Sequence, residues 1–216
     1  LLFKLIHKML KTEGLTFSYN SSHIFTFPDI LLQQGEDLLI LGNSGVGKTT
    51  LIQILSGLLS PQSGFVEVNG TRFQDLSSKS LDQFRGSHIG MVFQQSHFVR
   101  NLSILDNLLL SLYLSNKLQD KKRAIHLLQE IGLADKLNNM PDELSQGEQQ
   151  RAAIATALIK TPDLILADEP TSSLDDNNCQ KIITLLKEQA SLTNAKLIII
   201  THDQRLKDQF NTSIEL

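Results

Sequence analysis

Hydrophobic positions recur along the chain with two periods, two and about three and a half, and the switches between them mark its elements. From Leu15 to Ile30, LTFSYNSSHIFTFPDI alternates and carries aromatics, which predicts two strands around a turn at Asn20, Ser21 and Ser22. DLLILGN is a short apolar run ending in glycine and reads as a buried strand. In TTLIQILSGLL, Leu51, Ile52, Leu55 and Leu58 fall at helical spacing. GFVEVNG alternates between glycines as a strand with one exposed face, and IGMVFQ reads as another strand. The character then changes. NLSILDNLLLSLYL is apolar and helical, and DKKRAIHLLQEIG places Ala124, Leu127, Leu128 and Ile131 at helical spacing before stopping at Gly132. Strands return at LILADE and KLIIITH. Between them Cys179, Ile182, Ile183 and Leu186 form the inner face of a helix, with Cys179 as core filling. The pattern predicts a mixed α/β body with a mostly helical insert at about residues 97–158.

The N-terminal segment LLFKLIHKMLKTEG puts Leu1, Leu2, Leu5, Ile6 and Met9 on one helical face. It reads either as an extension, residues 1–9, upstream of a start at Met9, or as an amphipathic surface or core helix. It lacks the long apolar core and small-residue cleavage site of a signal peptide. The expected domain is a single one over residues 10–216.

Composition narrows the function classes. The chain has 216 residues, 41% hydrophobic and 20% charged, with a formal net charge of -3. There is no basic excess and no Lys/Arg-rich tract, so nucleic acid is not an expected partner. The one cysteine, Cys179, cannot form an internal disulfide, which fits a reducing compartment. No apolar run is long enough to cross a bilayer, so any crossing is left to another chain.

The chemistry sits at the strand ends. GNSGVGKTT, residues 42–50, fits the phosphate-binding loop G-x-x-x-x-G-K-[ST], and it follows a buried strand and opens a helix, as that motif requires. Gly42, Asn43, Ser44, Gly45, Val46, Gly47 and Thr50 supply a backbone that folds around phosphate oxygens. Lys48 neutralises the outer phosphates, and the Thr49 hydroxyl can ligate Mg²⁺. LILADEP ends a strand in two acids: Asp168 is expected to hold the metal, and Glu169 to orient or deprotonate an attacking water. IIITHD ends a third strand, where His202 can touch a γ-phosphate or that water. The histidines at 7, 23, 88, 97 and 126 read as surface or packing residues. Ser145 and Glu148 in DELSQGEQQRAAIATALI have the form of a capping box. A glycine in the first turn of such a helix makes a second anion site, because unpaired backbone N–H groups point outward there.

These motifs, in this order, resemble the nucleotide-binding subunit of ABC transporters: GNSGVGKTT, the glutamine of MVFQQ, LSQGEQQR, LILADEP, SSLD and the histidine of THD, in a match running from Leu10 onward. The resemblance implies an α/β P-loop NTPase (RecA-like) core with an antiparallel β subdomain and an inserted α-helical subdomain, acting as a Mg²⁺-dependent ATPase. It implies that Tyr19 stacks on adenine, the alternative being a tyrosine that packs against the strands. It implies that Gln94 reaches Mg²⁺ and the water, with Gln95 as the fallback if the register is off by one. Ser173, Leu174 and Asp175 would form a loop that meets a second subunit. Ser145 and Gly147 would bind the γ-phosphate held by that second copy, so that two chains sandwich two ATP molecules head to tail. SHFVRNLSILDN resembles the part of the insert that docks on an integral membrane permease subunit, with the chain peripheral on the cytoplasmic face of the inner membrane. A homodimer is favoured because both half-sites are intact on this chain.

The signature departs from the commoner LSGGQ at Gln146 and Glu148. Ser145 and Gly147 are kept, and a carboxylate at 148 is benign if it turns back onto the helix start. FRGSHIGMVFQ and ADEPTSSLD look most like the branch that serves lipoprotein release, macrolide-type export and cell division. The alternative to transport is the ATPase of a cell-division regulatory complex that transports nothing. DNA-repair ATPases share the motifs but split them with a long coiled coil, and no sustained heptads run between Lys48 and Asp168.

Overall fold

A computed structural model describes residues 9–20, 23–172 and 174–216. The apolar segment before Met9, Ser21 and Ser22 of the expected turn, and Ser173 lie outside the described residues. The strands are β1 (Met9–Phe17), β2 (Phe25–Thr26), β3 (Leu31–Gln33), β4 (Asp37–Leu41), β5 (Ser63–Val68), β6 (Thr71–Arg72), β7 (Ile89–Val92), β8 (Leu164–Asp168), β9 (Lys196–Thr201) and β10 (Ser213–Glu215). The helices are α1 (Lys48–Leu55), α2 (Ser78–His88), α3 (Ile104–Leu114), α4 (Lys121–Glu130), α5 (Gln146–Leu158) and α6 (Asp176–Thr193).

Two sheets form. β4, β7, β8, β9 and β10 make a parallel sheet in the order β10-β4-β9-β8-β7. β1, β2, β3, β5 and β6 make an antiparallel sheet centred on the β1–β5 pair. Parallel strands buried on both faces should read as unbroken apolar runs, and LLIL, LILA and LIII do. Alternation then sorts each run between two cores. Leu39, Leu41, Ile165, Ala167, Leu197 and Ile199 face the helical layer of α3, α4, α5 and α6. Leu38, Ile40, Leu164, Leu166, Ile198 and Ile200 face α1 and the antiparallel sheet. The segment between β7 and β8 is helical, as its periodicity predicts.

Four local expectations change. Met9, read as part of a helical face, opens β1, six residues before the predicted strand at Leu15. Its strand pairs with both β3 and β5, so sheet context overrides the local helical spacing. Leu58 lies past the end of α1 and is exposed. Gly57 at φ 71 stops that helix, and the Gly57 and Leu58 N–H groups reach back to the carbonyls of Ile54 and Gln53 in a Schellman closure. α2 was not predicted, and neither were the short strands β3, β6 and β10.

Asp163 ties α2 to the central sheet. Its Oδ2 lies 2.6 Å from His88 Nδ1 and its N–H donates to the His88 carbonyl at 2.8 Å. The hydrogen bond from His88 outweighs burial and holds the Asp163 carboxyl below its ordinary value of 3.8. A lowered acid stabilises the fold above 3.8 and loses that contribution as pH falls through the folded value. Asp163→Asn is therefore expected to be less stable than the parent near neutrality, by at most about 1 kcal/mol because both side chains are partly solvated. Urea melts at a series of pH values should show the gap closing below pH 3.8.

Candidate functional site

Parallel strands deliver their C-terminal ends to one edge, and that edge is where ligands bind in open α/β sheets. Leu41 of β4 stands opposite Thr201 of β9, Asp168 of β8 opposite Ile200, and Val92 of β7 opposite Ala167. The loops leaving these ends carry the phosphate loop, Glu169, His202 and Gln94. They enclose a cleft of about 380 Å³ lined by Ser44, Gly45, Gly47, Lys48, Thr49, Thr50, Gln94, Asp168, Glu169, His202 and Phe25.

The phosphate loop has the conformation its glycines allow. Gly45 and Gly47 sit at φ 88 and 100, where a side chain is strained. A Cβ on Gly47 would lie 2.7 Å from Phe25 Cδ1. Lys48 is buried to 7% exposure; its Nζ donates to the carbonyls of Gly42 at 2.7 Å and Asn43 at 3.1 Å and lies 3.5 Å from Glu169 Oε1. Gly42, Asn43 and Val46 shape the loop from behind rather than lining the cleft. Among the described residues, the lysine's charge is the one that directly faces Asp168, the last residue of β8, and Glu169 just after it.

Those acids differ. Burial raises the Asp168 carboxyl, the Glu169 charge raises it further, and Lys48 and a hydrogen bond from Thr49 oppose them. Among the described residues Asp168 Oδ1 is buried with no hydrogen-bond partner. A buried carboxylate oxygen left bare, beside the Thr49 hydroxyl, fits a divalent cation completed by phosphate oxygens and water. Glu169 is fully engaged instead. Oε2 accepts from Thr201 Oγ1 at 2.8 Å, and Oε1 from the His202 N–H at 3.1 Å and lies 2.9 Å from its Nδ1. Its backbone is at φ 48, an uncommon region for a non-glycine residue.

Gln94 lines the cleft and donates to Ser172 Oγ at 3.2 Å. Gln95 does not line it, so the register favours Gln94. Tyr19 stands at the edge, 64% exposed; its hydroxyl is 3.1 Å from Thr50 Oγ1 and its ring meets Phe17 and Phe25 edge-on. Ser145, Gly147 and Asp175 do not line the cleft. Ser145 caps α5, and Glu148 turns back onto it: Oε2 accepts from the Ser145 N–H at 2.8 Å and its hydroxyl at 2.7 Å. Those two bonds, the side-chain one first, lower the Glu148 carboxyl from its ordinary value. Asp175 caps α6 through the Asn178 N–H.

A family profile described as ABC transporter matches residues 28–172. The chain belongs to the ABC transporter family. Over 200 residues it is 37% identical to the lipoprotein-releasing system ATP-binding protein LolD of Bacteroides fragilis, covering 92% of this chain and 93% of that one. It is 44% identical over 187 residues to a protein named for hemin import, the ATP-binding protein HrtA of Staphylococcus aureus, covering 86% and 84%. Among solved structures it is similar to the ATP-binding cassette MJ0796, in a dimeric post-hydrolysis state bound to ADP and Pi. That match has a TM-score of 0.85 and 33% identity, covering 96% of this chain and 94% of that one.

As a member of the ABC family the chain is an ATP-binding, ATP-hydrolysing cassette. Three residues at the cleft escape sequence reasoning. Phe25 belongs to a short strand whose packing against Gly47 no local pattern reveals. Ser172, the partner of Gln94, opens SSLD, but nothing in the sequence says that it meets Gln94. Thr201 left a signal: it is a polar residue closing the unbroken apolar run LIII, and the structure buries it to 0% exposure. Glu148→Gln is expected to change ATP affinity by no more than about twofold, because an amide oxygen still accepts from the Ser145 N–H. Equilibrium binding of an ATP analogue checks it, and a hundredfold gain overturns the benign reading of that carboxylate.

Proposed function

We propose that this chain binds Mg-ATP as a head-to-tail pair of identical copies and drives a membrane complex of the lipoprotein-releasing type from the cytoplasmic face. The observation that carries the pairing is the separation of two intact half-sites: Lys48, Asp168 and Glu169 share the cleft, while Ser145 and Gly147 stand outside it. Tyr19 stacks on adenine, and the loop amides and Lys48 hold the phosphates. Thr49, Asp168 and Gln94 hold Mg²⁺, which supplies charge neutralisation at the phosphate oxygens. Glu169 takes the proton of the water whose oxygen attacks the γ-phosphorus as the bond to the bridging oxygen breaks, and His202 orients that carboxylate. Ser145 and Gly147 of one copy close on the γ-phosphate of the other, and Asp175 borders the joint.

The membrane partner has a place to dock. A second concavity of about 460 Å³ is formed by α2, β7 and the helical segment, with Met91, Phe98 and Leu114 among its apolar walls and Arg85 and Lys160 at its polar ones. Burial, then Lys117 and Arg85, pushes the Lys160 amine down to about 8. No helix among the described residues is long and apolar enough to cross a membrane, which suits a peripheral subunit.

The test is capture from membranes. Tagged Glu169→Gln protein, held with ATP in a detergent extract of its own cells, is expected to bring down a polytopic membrane protein with a large extracytoplasmic domain. Leu114→Asp in the same background is expected to lose it, since Leu114 is 69% exposed and lines the concavity. The likeness to the hemin-named relative supports a second reading, a heme-handling partner, which the identity of the captured protein separates from the first. Recovery of soluble proteins alone defeats both.

A further inference from the structure

We propose that Thr201 is a positioning residue for hydrolysis, its hydroxyl pinning one oxygen of the Glu169 carboxylate so that the other is presented to the water. The inference rests on Glu169 being the base.

Thr201 closes β9 at 0% exposure, where valine would suit the strand and the burial equally well. A buried hydroxyl is costly unless its hydrogen bonds are made. Here they are made in a way that fixes their direction. Thr201 Oγ1 accepts from the Asp203 N–H at 3.1 Å and lies 2.8 Å from Glu169 Oε2. With an N–H pointing at the oxygen, the hydroxyl proton goes to the carboxylate. The main chain of Glu169 is held by the same strand end, its N–H donating to the Ile200 carbonyl at 2.8 Å, and this support sustains φ 48. Three consecutive residues, Ile200, Thr201 and His202, therefore grip Glu169.

The grips are not equivalent. The His202 side chain is 59% exposed, and the Lys48 contact falls on Oε1. When phosphates draw Lys48 toward themselves, Oε1 keeps its contacts to His202 and gains the space in which to accept from water, while Oε2 stays fixed by the buried hydroxyl. Orientation of this kind acts on turnover rather than on nucleotide binding.

The test compares Thr201→Val, which keeps shape and loses the hydroxyl, with Thr201→Ser, which keeps the hydroxyl and loses a methyl. ATPase kinetics are measured on the full chain with its captured membrane partner. Valine is expected to lower kcat about tenfold, equivalent to about 1.4 kcal/mol, with KM for ATP unchanged. Serine is expected to stay within about twofold of the parent on the strength of the retained bond. Equal losses in both variants, or a larger loss for serine, would mean packing and overturn the inference. A parental rate for valine, with Glu169→Gln inactive, overturns the role of Thr201 alone. A parental rate for Glu169→Gln removes the base, and the proposed role with it.

Discussion

Glu169→Gln is expected to lower ATP turnover about a thousandfold, the middle of the range for a positioned general base, while leaving ATP binding intact. Glutamine keeps the volume and one acceptor oxygen, which at the Oε2 position retains the contact from Thr201 Oγ1, while the His202 N–H loses its acceptor at Oε1, a local change that leaves the fold in place. What is lost is the proton acceptor. There is a second consequence. Burial raises the Asp168 carboxyl, and the Glu169 charge adds to that rise. Removing the charge lets Asp168 ionise at lower pH, so a metal–nucleotide complex meets a fully charged ligand over a wider range. Binding of Mg-ATP is thus expected to tighten modestly, most clearly as pH falls toward the ordinary carboxylate value of 3.8, while hydrolysis is blocked. Together these effects should accumulate an ATP-bound pair. Light scattering of the variant with Mg-ATP reads the pair, and single-turnover phosphate release reads the chemistry. A persistent monomer with ATP bound would leave the sandwich unsupported for the chain alone. A turnover rate within about tenfold of the parent would remove Glu169 from the role of base.

The long runs were legible because the parallel sheet leaves no ambiguity. A strand covered on both faces must be apolar throughout, and the three runs that end in the phosphate loop, the Asp168–Glu169 pair and His202 are the longest of that kind. Glycine spacing fixed the loop, and its helix follows directly. Capping was legible too: Ser145 and Glu148 read as a reciprocal pair, and both halves of the pair are made.

What stayed hidden was held by distant contacts or by too few apolar residues. α2 has no fully buried residue and rests on the partly covered Leu81 and Phe84, so its sequence carries no helical stripe. Its one local signal is the Ser77 hydroxyl accepting from the Ser80 N–H. β3, β6 and β10 span two or three residues each and exist because a neighbour offers an edge. Met9 shows the same effect in the other direction, where helical spacing yields to a strand paired on both sides. Within the site, the residue types at strand ends could be read, but the mutual geometry could not. Nothing local says that Glu169 turns away from the metal position toward Thr201 and His202, because that is decided by which strands are neighbours.

Gly147→Asp is expected to fold as well as the parent or slightly better, yet to lose at least a hundredfold in ATPase activity. The argument starts from what the glycine does not do for its own chain. It is not at positive φ, and a Cβ there would meet only Arg151 Nη1 at 4.0 Å. Glycine is a poor helix former, and a carboxylate in the first turn favours the helix N-terminus. On its own chain the substitution is harmless or helpful, so a need for glycine must come from something that approaches α5 from outside. In the proposed pair that something is the γ-phosphate on the other copy, where a Cβ blocks approach and a carboxylate repels. Gly147→Ala separates the two, being expected to lose less than the aspartate variant. The decisive measurement mixes variants. Lys48→Ala spoils the phosphate loop and Gly147→Asp spoils the start of α5, and each alone should be inactive. In a mixed pair one composite site combines the two defects, and the other combines an intact loop with an intact helix start. Mixing should therefore restore a measurable fraction of the parental rate, up to about half per mixed pair if the sites act independently. No recovery, with mixed pairs demonstrated by differential tags, would mean that both sites must fire together or that Gly147 serves its own chain after all. A thermal melt of Gly147→Asp distinguishes these, because the second requires a loss of stability that the open space around this glycine does not allow.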